Sequence, residues 1–247
     1  MRVLVAVPAL NEATAMGGVL SSLSKAHPLK DVVVIDDGSR DATAQIARDA
    51  GAHVLSHAIN LGVGAAMGTA FKFAAQNGYD AVVQFDGDGQ HPPEYIDQLV
   101  AGLSEADIVI GSRFAAGGRF KASAARRGVQ RFIAWVVSGY ARIRITDATS
   151  GFRVAGPRAL KVFAEHYPVE WLGDTVESIV LAARQGLTVR EIPVVMSERA
   201  GGVPSQSVFR ATLYTGRILF ILGLATIRSV PPQLRALRRQ KPDNVTA

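Results

Sequence analysis

Short apolar runs alternate with segments of helical periodicity through the first half of this chain. Val3 to Val7, Val32 to Ile35, His53 to Leu55, Ala81 to Phe85 and Ile108 to Ile110 have strand length, and each leads through a turn into a helix candidate. Runs such as Val32-Val33-Val34-Ile35 are apolar on both faces, which suits parallel strands covered by helices on either side. Helices are expected over Ala15 to Ala26, Asp41 to Ala50, Val63 to Gln76 and Pro93 to Leu103. Asp41 has the chemistry of an N-cap, and Gly51 and Gly78 fall just past helix ends. The pattern predicts an α/β fold with a mostly parallel central sheet and helices on both faces.

From Gly117 the alternation breaks. Arg119, Lys121, Arg126, Arg127 and Arg131 precede or enter a helix expected around Gln130 to Ala141. A short strand at Phe152 to Ala155, a helix at Thr175 to Gln185, a strand at Thr188 to Met196 and a Gly-rich loop at Ala200 to Gln206 follow. Residues 207–230 are apolar or amphipathic, mixing Phe209, Leu213 and Phe220 with Arg210, Arg217 and Arg228. Only ten uncharged residues run from Ile218 to Ile227, against the roughly 20 that span a bilayer. This segment suits either a membrane interface or packing on the domain or a second subunit. Residues 231–247 read as a basic tail.

The N-terminus begins directly as a strand, with no cleavage site after its apolar run. With 247 residues, 48% of them hydrophobic, the chain can bury a substantial core. The absence of cysteine excludes disulfides, thiolate zinc sites and cysteine nucleophiles. A net charge of +6 suits an anionic partner such as a nucleotide, a lipid phosphate or an acidic surface.

Candidate chemistry collects where strands end. Asp86-Gly87-Asp88 follows Ala81 to Phe85, and two carboxylates so close together repel unless a cation lies between them. Mg²⁺ or Mn²⁺ fits, because each takes a few protein oxygens and completes its shell with water and substrate phosphates. Asp86 and Asp88 are candidate metal ligands to which Gln90 can add a carbonyl oxygen, a plain strand-to-helix turn being the other reading. Val7-Pro8-Ala9-Leu10-Asn11-Glu12 and Asp36-Asp37-Gly38-Ser39 end two further strands at the same edge, where open parallel sheets bind ligands. Asn60-Leu61-Gly62-Val63-Gly64 opens a helix with small residues, but its position and Met67 do not fit a dinucleotide fingerprint. Close backbone approach to a nucleotide and close helix packing both remain open for it.

This ordered series resembles family 2 glycosyltransferases, and within them the polyprenyl-phosphate or dolichyl-phosphate sugar synthases. To the motifs above it adds Gln90-His91-Pro92-Pro93, Gly111-Ser112-Arg113-Phe114, Ser150-Gly151-Phe152-Arg153 and Glu198-Arg199, covering about Met1 to Gln206. The resemblance implies a GT-A type catalytic domain over residues 1–206. It places Pro8, Asn11, Glu12, Asp36, Asp37, Gly62 and Asp86 around the nucleotide sugar, and Arg113, Arg126, Arg127 and Arg199 on phosphates. Val63 and Ser205-Gln206 stand where relatives carry basic residues, so the phosphate grip differs.

The implied reaction is metal-dependent, inverting transfer of a hexose from GDP-mannose or a UDP-hexose to polyprenyl or dolichyl phosphate. A lipid monophosphate, with a second pKa of about 6, is already anionic near neutral pH and needs little deprotonation. A hydroxyl acceptor instead needs a base, for which Asp147, Asp174 and Glu177 are the candidates; a helix start favoured by the macrodipole is the other reading of the last two. The alternatives are a family 2 enzyme with a soluble or glycan acceptor, and a non-catalytic basic protein binding nucleic acid or an acidic partner. The leading reading expects no nucleic acid partner. It places the chain in the cytoplasm, with peripheral membrane contact or a membrane protein partner as options.

Overall fold

The computed structural model describes residues 1–28, 31–115, 124–141, 144–169 and 174–197. In chain order they form β1 (Val3–Ala9), α1 (Ala13–Ala26), β2 (Val32–Asp36), α2 (Thr43–Asp49), β3 (His53–Ser56), α3 (Val63–Gln76), β4 (Ala81–Gln84) and α4 (Ile96–Ala101). Then come β5 (Ile108–Ser112), α5 (Ala124–Ala141), β6 (Arg153–Ala155), α6 (Pro157–His166), α7 (Asp174–Arg184) and β7 (Val189–Pro193). The strands make one sheet in the order β3-β2-β1-β4-β6-β5-β7. All neighbours run parallel except β6, which is antiparallel to both β4 and β5. This is a GT-A type α/β fold.

Alternation along the strands sends side chains into two cores. Leu4, Ala6, Val33, Ile35 and Val82 pack beneath α3, α5, α6 and α7, while Val5, Val7, Val32, Val34 and Val83 pack beneath α1 and α4. Burial on both faces is why these strands are apolar runs rather than alternating ones. The helix at Pro157–His166 was not anticipated; its signals are Gly156 followed by Pro157 at the first turn, then buried Ala159, Leu160, Val162 and Phe163. The expected helix at Pro93 to Leu103 is regular only over Ile96–Ala101, with 3₁₀ turns at Pro93–Tyr95 and Gly102–Ser104 on either side.

Asp41 does not cap α2, whose N-cap position is Ala42. Its carboxylate instead accepts from the Thr43 N–H at 3.0 Å and the Ala13 N–H at 3.2 Å, tying the starts of α1 and α2 together. Arg199, the segment 207–230 and the tail 231–247 lie outside the described residues. Among the described residues no helix is long and apolar enough to cross a membrane.

The register gathers the site. Ala9 pairs with Asp36 and Ala6 with Gln84, so the chain leaves β1, β2 and β4 at one edge. Gln84 pairs with Arg153 across the antiparallel ladder, so β6 begins where β4 ends. The small residues of α3 serve packing: a Cβ on Gly64 would stand 2.5 Å from the Pro168 carbonyl oxygen and 3.1 Å from Val169 backbone. Alanine is ordinarily the better helix former by about 1 kcal/mol, but here the obstacle is backbone. Gly64→Ala is expected to destabilise the protein by about 1–3 kcal/mol, read as a lower urea midpoint with an unchanged slope.

Candidate functional site

The lip above β1 and β2 is clipped together by short polar side chains. Asn11 occupies positive φ at 54°, a conformation its short amide tolerates. Its Oδ1 accepts from the Arg40 N–H at 2.8 Å, and its own N–H donates to Ser39 Oγ at 2.9 Å. The next N–H, of Glu12, donates to Thr43 Oγ1 at 2.9 Å. Pro8, half-buried, sits beside Ile35 in the β1–β2 register.

Asp36 and Asp37 then part company. Asp36 accepts from the Ser39 N–H through Oδ1 at 3.1 Å. Asp37, 4% exposed, is enclosed: its Oδ1 takes His57 Nδ1 at 2.7 Å and the Leu61 N–H at 2.9 Å, and its Oδ2 takes the Gly62 N–H at 2.7 Å. Asp37 therefore holds the Asn60-Leu61-Gly62 turn against the end of β2, and Gly62 belongs to that brace. His57, which no sequence signal marked, is fixed from the other side by Thr69 Oγ1 at 2.9 Å.

Beyond β4, Asp86 presents a side chain 38% exposed, and Asp88 lies buried with Oδ1 accepting the Gln90 N–H at 3.0 Å. Gln90 is half-buried, and its backbone oxygen accepts from the Ser197 N–H at 3.0 Å, bringing the chain after β7 to the same edge. Space in front of Asp86 depends on Gly151. A Cβ there would come within 2.9 Å of Oδ2 and 3.0 Å of Oδ1. Among the described residues no three His, Cys, Asp or Glu side chains form a metal group of their own. Two carboxylates with a kept-open approach suit a cation that takes its other ligands from substrate phosphate and water. His91 is buried against Phe152, and burial pushes its imidazole below the usual histidine range although Asp86 and Asp88 pull the other way.

Arg113 and Asp147 meet, but as partners of one another. Arg113 donates from Nε to Oδ2 and from Nη2 to Oδ1, both at 2.7 Å, in the bidentate geometry of a strong guanidinium–carboxylate pair. The Asp147 side chain is fully buried and that of Arg113 is 11% exposed. In this structure Asp147 thus serves as the counter-ion of Arg113, whose fork is directed at it. Glu191 on β7 holds the same turn, accepting from the Thr146 N–H at 2.9 Å and the Asp147 N–H at 2.7 Å. Sequence inspection had no means of finding that contact across 44 residues. Arg126 and Arg127 lie on α5, their side chains outside the described set.

Asp174 opens α7 and is 4% exposed. Burial raises its carboxyl, the Arg153 guanidinium and the Thr175 N–H lower it, and Asp86 raises it further, leaving it at about 6. Tyr167, whose hydroxyl burial pushes far above its ordinary range, donates to Asp174 Oδ2 at 3.4 Å. Arg153 is itself pinned, donating to the Ser150 carbonyl, to the Thr175 carbonyl at 3.0 Å and to Ser178 Oγ at 2.9 Å. Glu177 follows one turn later on α7, half-buried. A carboxylate that titrates near neutrality and feels Asp86 is suited to proton transfer at this edge.

A mostly parallel sheet whose strand ends carry paired carboxylates, a closed turn over a helix start and a buried acid presents these groups at the edge where α/β enzymes bind ligands. The chain belongs to glycosyl transferase family 2, whose model matches residues 4–166. It is 32% identical over 229 residues to the undecaprenyl-phosphate mannosyltransferase of Micrococcus luteus, covering 86% of this chain and 93% of that protein. Its fold resembles glucosyl-3-phosphoglycerate synthase from Mycobacterium tuberculosis solved with Mn²⁺, UDP and phosphoglyceric acid, at a TM-score of 0.66 and 21% identity, over 92% of this chain and 80% of that one. The same synthase with Mg²⁺ and UDP gives a TM-score of 0.67 at 21% identity, over 93% and 81%.

Family membership removes the non-catalytic reading. The expectation of the lipid-phosphate branch, with polyprenyl or dolichyl phosphate as acceptor, is also corrected: the synthase of similar fold has been solved with phosphoglyceric acid, a soluble acid.

Breaking the Arg113–Asp147 pair tests its structural role. Asp147→Ala leaves a largely buried guanidinium without its counter-ion, and is expected to destabilise by about 3–5 kcal/mol in chemical denaturation.

Proposed function

We propose that this protein transfers a hexose from a nucleotide sugar to the hydroxyl group of a small soluble acceptor, with inversion at the anomeric carbon. The observation that carries the reading is Asp174, buried near Asp86 with its carboxyl raised to about 6. The synthase of similar fold, solved with UDP-glucose and phosphoglyceric acid, makes that donor and that acid the first pair to test.

In this reading Asp86 and Asp88, with Gln90 beside them, hold Mg²⁺ or Mn²⁺. The bound cation supplies positive charge to the departing nucleoside diphosphate. Pro8, Asn11, Glu12 and Asp36 border the nucleoside, while Asp37 and Gly62 shape the turn beside it. Asp174 accepts the proton of the acceptor hydroxyl as its oxygen bonds to the anomeric carbon and the bond to the diphosphate breaks. Arg153 and Tyr167 keep Asp174 in place. Glu177, one turn along, is the second candidate for the base.

Incubation with labelled nucleotide sugars and either phosphoglyceric acid or polyprenyl phosphate, with and without chelator, separates the readings. Label is expected on the soluble acid, lost with chelator and with Asp88→Ala. Label on the lipid alone overturns the proposal. Because the base must be ionised, kcat/KM is expected to rise with pH through about 6, and Asp174→Asn to lower kcat by about 10²–10⁴-fold.

The same group gives a stability signature of opposite sense. Its folded pKa lies above the unfolded one, so its contribution is full below the unfolded value and lost as pH rises through about 6. Asp174→Asn removes that loss. Relative to wild type it is expected to be more stable at pH 8 than at pH 4 by on the order of 1–3 kcal/mol, read by urea unfolding at both values.

A further inference from the structure

We infer that His91 is a positioning residue that holds Asp86 in place for the divalent cation by accepting the Asp86 N–H from a buried, aromatic-walled ring. The inference rests on the reading of Asp86 and Asp88 as metal ligands and adds a residue that acts through one of them.

His91 Nδ1 accepts the Asp86 N–H at 2.9 Å. A backbone N–H can only donate, so Nδ1 carries no proton and the neutral ring bears its single proton on Nε2. Nε2 stands 3.4 Å from Asp86 Oδ2. The ring therefore grips the Asp86 main chain through Nδ1 and lies alongside the carboxylate of the same residue, with no hydrogen bond to it. Metal sites commonly orient their carboxylates through such outer contacts.

The ring has little freedom to leave. It is 4% exposed, stacked on Phe152 at 4.7 Å between centroids and 19° between planes, and edge-on to Phe85 at 5.5 Å and 89°. Pro92 follows directly and restricts the backbone conformations open to His91. On the far side Gly151 keeps the approach to both Asp86 oxygens open. Asp86 is thus oriented from within by an aromatic-walled imidazole and left accessible from without.

The test is Mn²⁺ binding in the presence of UDP, followed by electron paramagnetic resonance, with no sugar transfer involved. His91→Phe keeps an aromatic ring against Phe152 and loses both nitrogens, and is expected to weaken Mn²⁺ binding about 10–100-fold. His91→Gln, whose side-chain oxygen can accept the Asp86 N–H in place of Nδ1, is expected to recover part of that loss. Thermal melting identifies folded variants, and if His91→Phe does not fold, His91→Gln alone is expected to bind more weakly than wild type. Wild-type binding that Asp86→Ala abolishes but folded His91→Phe or His91→Gln leaves unchanged overturns the positioning role. No Mn²⁺ binding by wild type overturns the metal reading itself, and the inference with it.

Discussion

Crowding carboxylates at one edge of a buried sheet is the constraint on which the rest of this structure turns. Asp36, Asp37, Asp86, Asp88 and Asp174 all lie where strands end or a helix begins at that edge, and all but Asp86 are buried. Ionised carboxylates in such a place repel one another and lose hydration unless each is met by donors or cations. The fold answers them one at a time. Asp37 receives backbone N–H groups and His57, Asp174 faces Arg153, and the neighbouring Asp147 is closed by Arg113. Asp88 accepts the Gln90 N–H, and in the proposed reading it shares with Asp86 a cation brought with substrate.

This division explains why apparently similar residues do different work. A carboxylate whose oxygens already receive strong donors, as in Asp37 and Asp147, shapes loops and holds arginine. One that is buried with a weak 3.4 Å contact from Tyr167 and an acidic neighbour is raised toward neutrality, where it can exchange protons. The difference lies in the partners, since the residue type is the same.

The acceptor question turns on the same physics. The Gln90-His91-Pro92-Pro93 run, which drew the comparison with lipid-phosphate enzymes, is engaged with Asp86 and the chain after β7, on the metal side of the site. In the proposed reading it serves the donor end, and it carries no direct information about the molecule that attacks. The raised carboxyl of Asp174 does bear on that molecule, because a hydroxyl nucleophile needs a proton acceptor.

Local pattern was enough to read the strand order in sequence, the helix at Val63–Gln76 and the edge at which Asn11, Asp36 and Asp86 would gather, because strands buried on both faces announce themselves as apolar runs and their ends as polar turns. The α6 helix escaped notice because its only local signals were one Gly-Pro step and a short periodic stretch. Long-range pairings were decided by tertiary structure alone: β6 inserted antiparallel between β4 and β5, Glu191 reaching the Thr146 turn, Arg113 closing on Asp147, and His91 facing Asp86. Sequence sets which residues are charged and where strands end, both local properties. Which charge meets which partner, and hence which carboxylate is ionised, braced or poised, depends on distances of a few ångströms between segments far apart in the chain.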